Sequence, residues 1–161
     1  MKKLVTVLLA LMLAGCSGES YEQVQDVYAT QALPKAARLL VSLPPDAVVM
    51  TDTEAELWLC DGYTATAVTR EAGDLDATLR AVTGYSREQL EVIERQQESL
   101  KRFETVWVSA GEGGDQVART VILDDGHHHY ALTLQAPADS AGALGAAWQQ
   151  VLATVTLDIV P

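Results

Sequence analysis

Three consecutive histidines, His127-His128-His129, follow a pair of acids, Asp124-Asp125. Imidazole beside carboxylate is the composition of a site for zinc, copper or nickel. If the segment is a strand, His127 and His129 share one face and His128 takes the other, because side chains alternate along an extended chain. His127 and His129 are therefore the candidate metal ligands, and two are too few for a structural site. Cys60 or distant acids would have to supply the rest. The competing reading is a polar strand end, with His128 packed beside Tyr130 at the edge of the core.

Other residues with chemical potential are fewer. Gly111-Glu112-Gly113-Gly114 lacks the Lys-Ser/Thr and the helix start that a phosphate cradle needs, so it reads as a hairpin loop. No Gly-x-Ser-x-Gly elbow marks a nucleophile. Catalytic groups assembled in space leave no such mark, so a hydrolase stays as an alternative, as does a pair of glycosidase-type carboxylates. Cys60 follows an apolar run with no Lys, Arg or His nearby in sequence, which suits a structural thiol rather than a reactive one. Trp58, Trp107 and Trp148 read as core or core-edge residues. No catalytic residue and no cofactor is assigned.

The remaining cysteine opens a different chemistry. The chain begins MKKLVTVLLALMLAGC, with Lys2 and Lys3 ahead of an uncharged apolar run over residues 4–13. That run is shorter than the roughly 20 residues a spanning helix requires, and it has the size of an export-signal core. Leu13-Ala14-Gly15-Cys16 resembles the lipobox of bacterial lipoproteins. The resemblance implies cleavage before Cys16 and a diacylglyceryl thioether on its sulfur. Two acyl chains anchor stably where one binds marginally. Residues 1–15 are then a signal peptide and residues 16–36 a lipidated cysteine with a polar tether. Ser17 after the cysteine directs such proteins to the outer membrane of a diderm; in a monoderm they stay on the cell membrane.

The full chain of 161 residues carries a net charge of −11 at pH 7, and loss of Lys2 and Lys3 makes the mature protein more acidic still. Nucleic acid and anionic lipid headgroups call for a basic footprint, so neither is an expected partner beyond the lipid anchor itself. With Cys16 lipidated, Cys60 has no intramolecular partner for a disulfide.

Residues 37–161 must position whatever this domain does, and they suit a single domain. Residues 38–43 predict a strand, and Pro44-Pro45-Asp46 a turn. Residues 57–60 and 63–69 flank Asp61-Gly62 as a hairpin. Asp74 caps a helix bearing Leu75, Leu79 and Val82, which stops at Gly84. Ser86 and Gln89 form a capping box, with Tyr85 and Leu90 as its hydrophobic staple. A second, half-exposed helix is expected to follow, with Leu90, Ile93, Gln97 and Leu100 as its stripe. Residues 103–110, 116–123 and 128–134 predict three strands in an antiparallel meander. Pro137, Asp139 and Ser140 open a helix whose apolar face carries Leu144, Ala147, Trp148, Val151, Leu152 and Val155. Residues 154–160 end the chain as a strand. The class is α+β, a mostly antiparallel sheet flanked by helices.

From residue 75 to 157 this pattern resembles the DcrB/PsbP-like superfamily of envelope and thylakoid-lumen proteins. The residues that carry it are Thr83-Gly84-Tyr85, Arg119-Thr120-Val121-Ile122-Leu123, Tyr130-Ala131-Leu132-Thr133-Leu134, and Pro137 ahead of Trp148. The resemblance implies an α/β sandwich without a catalytic motif to carry over. The expectation is a membrane-anchored, non-enzymatic lipoprotein that binds a protein or small molecule. A metal-binding lipoprotein using His127 and His129, and a lipoprotein hydrolase, are the alternatives.

Overall fold

The strand at residues 128–137 is buried at nearly every position, so it is covered on both faces, and the architecture follows from that cover. The computed structural model describes residues 34–51, 55–111 and 113–158. Cys16, Ser17, the leader and most of the tether lie outside the described residues, as do Glu112 and the last three positions. One compact unit runs Lys35–Pro161.

Its elements are β1 (Arg38–Leu40), β2 (Val48–Thr51), β3 (Glu56–Cys60), β4 (Tyr63–Glu71), α1 (Leu75–Thr83), β5 (Val92–Gln97), β6 (Leu100–Gly111), β7 (Gly114–Asp124), β8 (His128–Pro137), α2 (Ala141–Thr154) and β9 (Thr156–Asp158). Seven strands form one antiparallel sheet in the order β2-β3-β4-β8-β7-β6-β5. β1 and β9 pair separately, with Leu39 opposite Leu157. Over the described residues the protein is thus α+β, a largely antiparallel sheet with two helices. No helix among the described residues is long and apolar enough to cross a membrane.

Alternation along β7 and β8 gives each helix its own face. Ile122 and Ala131 point to one side, where Leu75 and Leu79 of α1 meet them together with Phe103. Val121, Leu123, Tyr130, Leu132 and Leu134 point to the other and pack with Leu144, Trp148 and Val151 of α2. The buried side chains of Thr120 and Thr133 form a hydrogen-bonded chain with Trp107, which low-dielectric surroundings favour. Trp107 Nε1 donates to Thr120 Oγ1 at 3.0 Å, and the Thr120 and Thr133 hydroxyls bond at 2.9 Å.

α1 forms as its caps predict. The Asp74 carboxylate accepts from the Asp76 N–H at 3.1 Å, and Gly84 adopts φ 81°, a left-handed turn that a Cβ disfavours. α2 ends against the sheet: Arg102 Nη1 donates to the Leu152 carbonyl at 3.2 Å, satisfying an acceptor of the last turn.

The expected helix after Ser86 does not form. Ser86 N–H does donate to Gln89 Oε1 at 2.9 Å, but the box closes only a single 3-10 turn over Arg87–Gln89. The chain then runs as β5, turns at Glu98 with φ 54°, and returns as β6 with Gln97 opposite Leu100. A helix there would offer its narrow stripe no partner, whereas β5 bonds along β6. Two further differences are smaller. The first strand stops at Leu40, short of residue 43, and Val48–Thr51 forms a strand the sequence reading passed over.

Candidate functional site

Asp124-Asp125-Gly126 turns the chain between β7 and β8, and the turn is built by its own carboxylates. Asp124 Oδ1 accepts from the Gly126 N–H at 2.7 Å. Asp125 Oδ1 accepts from the His127 N–H at 2.8 Å and the His128 N–H at 2.6 Å. Short acidic side chains that capture amides two and three residues ahead are the usual means of fixing such a turn. Gly126 supplies the positive φ, 88°. The Ala72 N–H donates to the His127 carbonyl at 2.7 Å, tying the turn to the end of β4.

The three histidines are held apart by this geometry. β8 begins at His128, so His127 belongs to the exposed turn and does not share a strand face with His129. His129 is buried on the α1 side, where its Nδ1 lies 2.7 Å from Thr78 Oγ1 and its Nε2 lies 3.8 Å from Asp124 Oδ2. His128 is buried on the opposite face, its ring tilted on Tyr130 at 5.9 Å between centroids, as the strand-end reading expects. Among the described residues, no three His, Cys, Asp or Glu side chains stand in metal-holding geometry. Cys60 is a half-buried free thiol packed beside the larger core cluster.

Thr78, His129 and Asp124 have the order of a hydroxyl–imidazole–carboxylate relay. Thr78 is only 4% exposed and His129 3%. A nucleophile needs an approach for its substrate, and these side chains are enclosed between α1 and the sheet. Their bond satisfies two buried polar groups. Sequence reasoning missed the contact because Thr78 and His129 come from distant segments.

Asp125 is the hub of the turn. Tyr130 Oη donates to Asp125 Oδ2 at 2.8 Å and accepts from the Ala37 N–H at 2.8 Å, so one phenol fastens the start of the domain to the turn. Burial pushes the Asp125 carboxyl up. The N–H groups of His127 and His128, the Tyr130 hydroxyl and the nearby His128 ring outweigh that and hold it below the usual carboxylate value. Burial, then the bond to Asp125, pushes Tyr130 up to about 12.

The signs of the two shifts predict two flanks of stability. A depressed carboxyl stabilises the fold above the ordinary carboxylate range, and that contribution is lost as pH falls through the range. A raised phenol stabilises below pH ~10, and its contribution is lost as pH rises toward the folded value. Asp125→Ala is expected to cost about 2 kcal/mol at neutral pH and to flatten the acid flank. Tyr130→Phe is expected to flatten the alkaline flank. Urea midpoints measured across pH check both; an Asp125→Ala acid flank as steep as wild type contradicts the assignment.

No family model matches the chain, and no curated protein matches it. The fold is similar to the crystal structure of LpqN, involved in cell envelope biogenesis of Mycobacterium tuberculosis. Identity is 11% and the TM-score 0.54, over 77% of this chain and 85% of LpqN. A protein of Bacteroides thetaiotaomicron is similar at 10% identity and a TM-score of 0.49, over 76% of this chain and 49% of its own.

Proposed function

We propose that this chain is a bacterial envelope lipoprotein, cut before Cys16, lipidated on the Cys16 sulfur and displayed outside the cytoplasmic membrane as a non-enzymatic binding module. The observation that carries the reading is Leu13-Ala14-Gly15-Cys16 placed after Lys2, Lys3 and an apolar run too short to span. The α+β fold supports it, since LpqN, involved in cell envelope biogenesis, shares that fold. The finer family reading is a DcrB/PsbP-like α/β sandwich. Its supports are the α1 cap at Gly84, the paired β7 and β8, and the Trp148 helix.

Two acyl chains at Cys16 hold the domain at the outer membrane of a diderm or at the cell membrane of a monoderm. Substituting Cys16→Ala removes the only atom that accepts the thioether. Cells fed radiolabelled palmitate are expected to label the wild-type protein and to leave the variant unlabelled, as an uncut precursor. Label on the variant equal to wild type contradicts the reading.

A further inference from the structure

Among the described residues the sheet ends on β2, and no strand pairs with its outer edge. Cys60 and Tyr63 close the two-residue turn between β3 and β4, so Cys60 and Trp58 bond toward β4 while Leu57 and Leu59 bond toward β2. Their register partners Met50 and Val48 therefore face β3, which turns the N–H and C=O of Val49 outward. Natural edges are guarded by charge, proline or a bulge. The opposite edge, β5, carries Glu94 and Arg95, whereas the four residues of β2 include no charge and no proline. Val48, Val49 and Met50 are 58%, 57% and 52% exposed, and neither core cluster includes them. Val48 beside Leu59 and Met50 beside Leu57 make an apolar strip on one face of the ribbon.

The charge along the segment that builds this edge has one sign. No Lys, Arg or His occurs between Arg38 and Arg70, while Asp46, Asp52, Glu54, Glu56 and Asp61 all fall there. Asp46, Glu56 and Asp61 are exposed. A second copy would set acids against acids, and an anionic lipid surface would be repelled likewise.

We propose that β2 receives an extended segment of another protein, one that alternates apolar with basic residues. Its backbone bonds to Val49, its apolar side chains cover the Val48, Met50 and Leu59 strip, and its cations meet Asp46 and Glu56. This names the partner class for the binding module and rests on that reading.

The test uses the full chain in phosphatidylcholine nanodiscs and a fluorescent peptide of about six alternating Lys and Val residues. Anisotropy is expected to show binding of this peptide and none of the Glu–Val counterpart. Val49→Pro, which removes an outward N–H, is expected to weaken binding about threefold to tenfold. Asp46→Asn with Glu56→Gln is expected to weaken it most at low salt. If circular dichroism shows that Val49→Pro does not fold, Met50→Lys takes its place, with loss of the Lys–Val peptide expected. Failure of the Lys–Val peptide to bind, equal binding of the two peptides, or full affinity in the charge variant overturns the proposal. Self-association without peptide uptake also overturns it and gives the edge to a second copy. Palmitate labelling at Cys16 reads the membrane anchor independently, so the partner and the anchor fail separately.

Discussion

Alanine at Trp148 is expected to lower the free energy of unfolding by about 3–5 kcal/mol, the range for deleting a large aromatic side chain from a packed core. Trp148 is 3% exposed and lies in the cluster that joins α2 to Tyr130, Leu132 and Leu134 of β8. The same cluster includes Val155 and Leu157, so the cavity would loosen the chain's return to β1 as well. The surrounding sheet is fixed by strand pairing on both sides of β8 and can collapse little into the gap. Urea unfolding followed by circular dichroism measures the loss. Gln149→Ala, one residue on and exposed, is expected to change stability by less than about 0.5 kcal/mol. Equal effects at the two positions would mean that α2 does not present this face to the sheet.

Arg102→Met is expected to cost about 3 kcal/mol, through a different mechanism. Arg102 Nε lies 2.9 Å from Glu104 Oε1, and the two side chains are 13% and 11% exposed. Arg95 Nε approaches the same carboxylate at 3.4 Å from the neighbouring strand. Arg102 Nη1 also donates to Gln97 Oε1 at 3.1 Å, besides its bond to the Leu152 carbonyl. A methionine keeps most of the volume but leaves a nearly buried carboxylate with one partner and a helix-end carbonyl with none. Removing the carboxylate too, as Arg102→Met with Glu104→Leu, is expected to recover much of the loss, because the desolvation cost disappears with the charge. A double variant as unstable as the single one would place the cost in packing rather than in charge.

The parts of the fold written locally were legible. Asp74 and Gly84 bracket α1 because a capping carboxylate and a left-handed glycine act on their nearest neighbours. The β7–β8 hairpin follows from Asp124-Asp125-Gly126, whose side chains close the turn themselves. β5 was not legible. The stripe Leu90, Ile93, Gln97 and Leu100 fits helical spacing, and a sound capping box precedes it. What decides the outcome is a turn at Glu98-Ser99 that carries no glycine, and pairing with β6. β2 escaped for another reason: Val48, Val49 and Met50 are all exposed, so no burial pattern imprints alternation on them.

At the histidine turn, sequence spacing located the polar cluster and the packing of His128 on Tyr130. The pairing of His127 with His129 on one face, which required the strand to include His127, does not hold, because the strand starts at His128. The bonds from Thr78 to His129 and from Ala37 to Tyr130 join segments far apart in the chain. Such contacts exist only once the sheet has formed.

The most direct measurement is the mass of the N-terminal peptide of the protein isolated from its own membranes. The account predicts a chain beginning at Cys16 and carrying a diacylglyceryl group on sulfur. A bare thiol at Cys16, or a peptide that still begins at Met1, contradicts it.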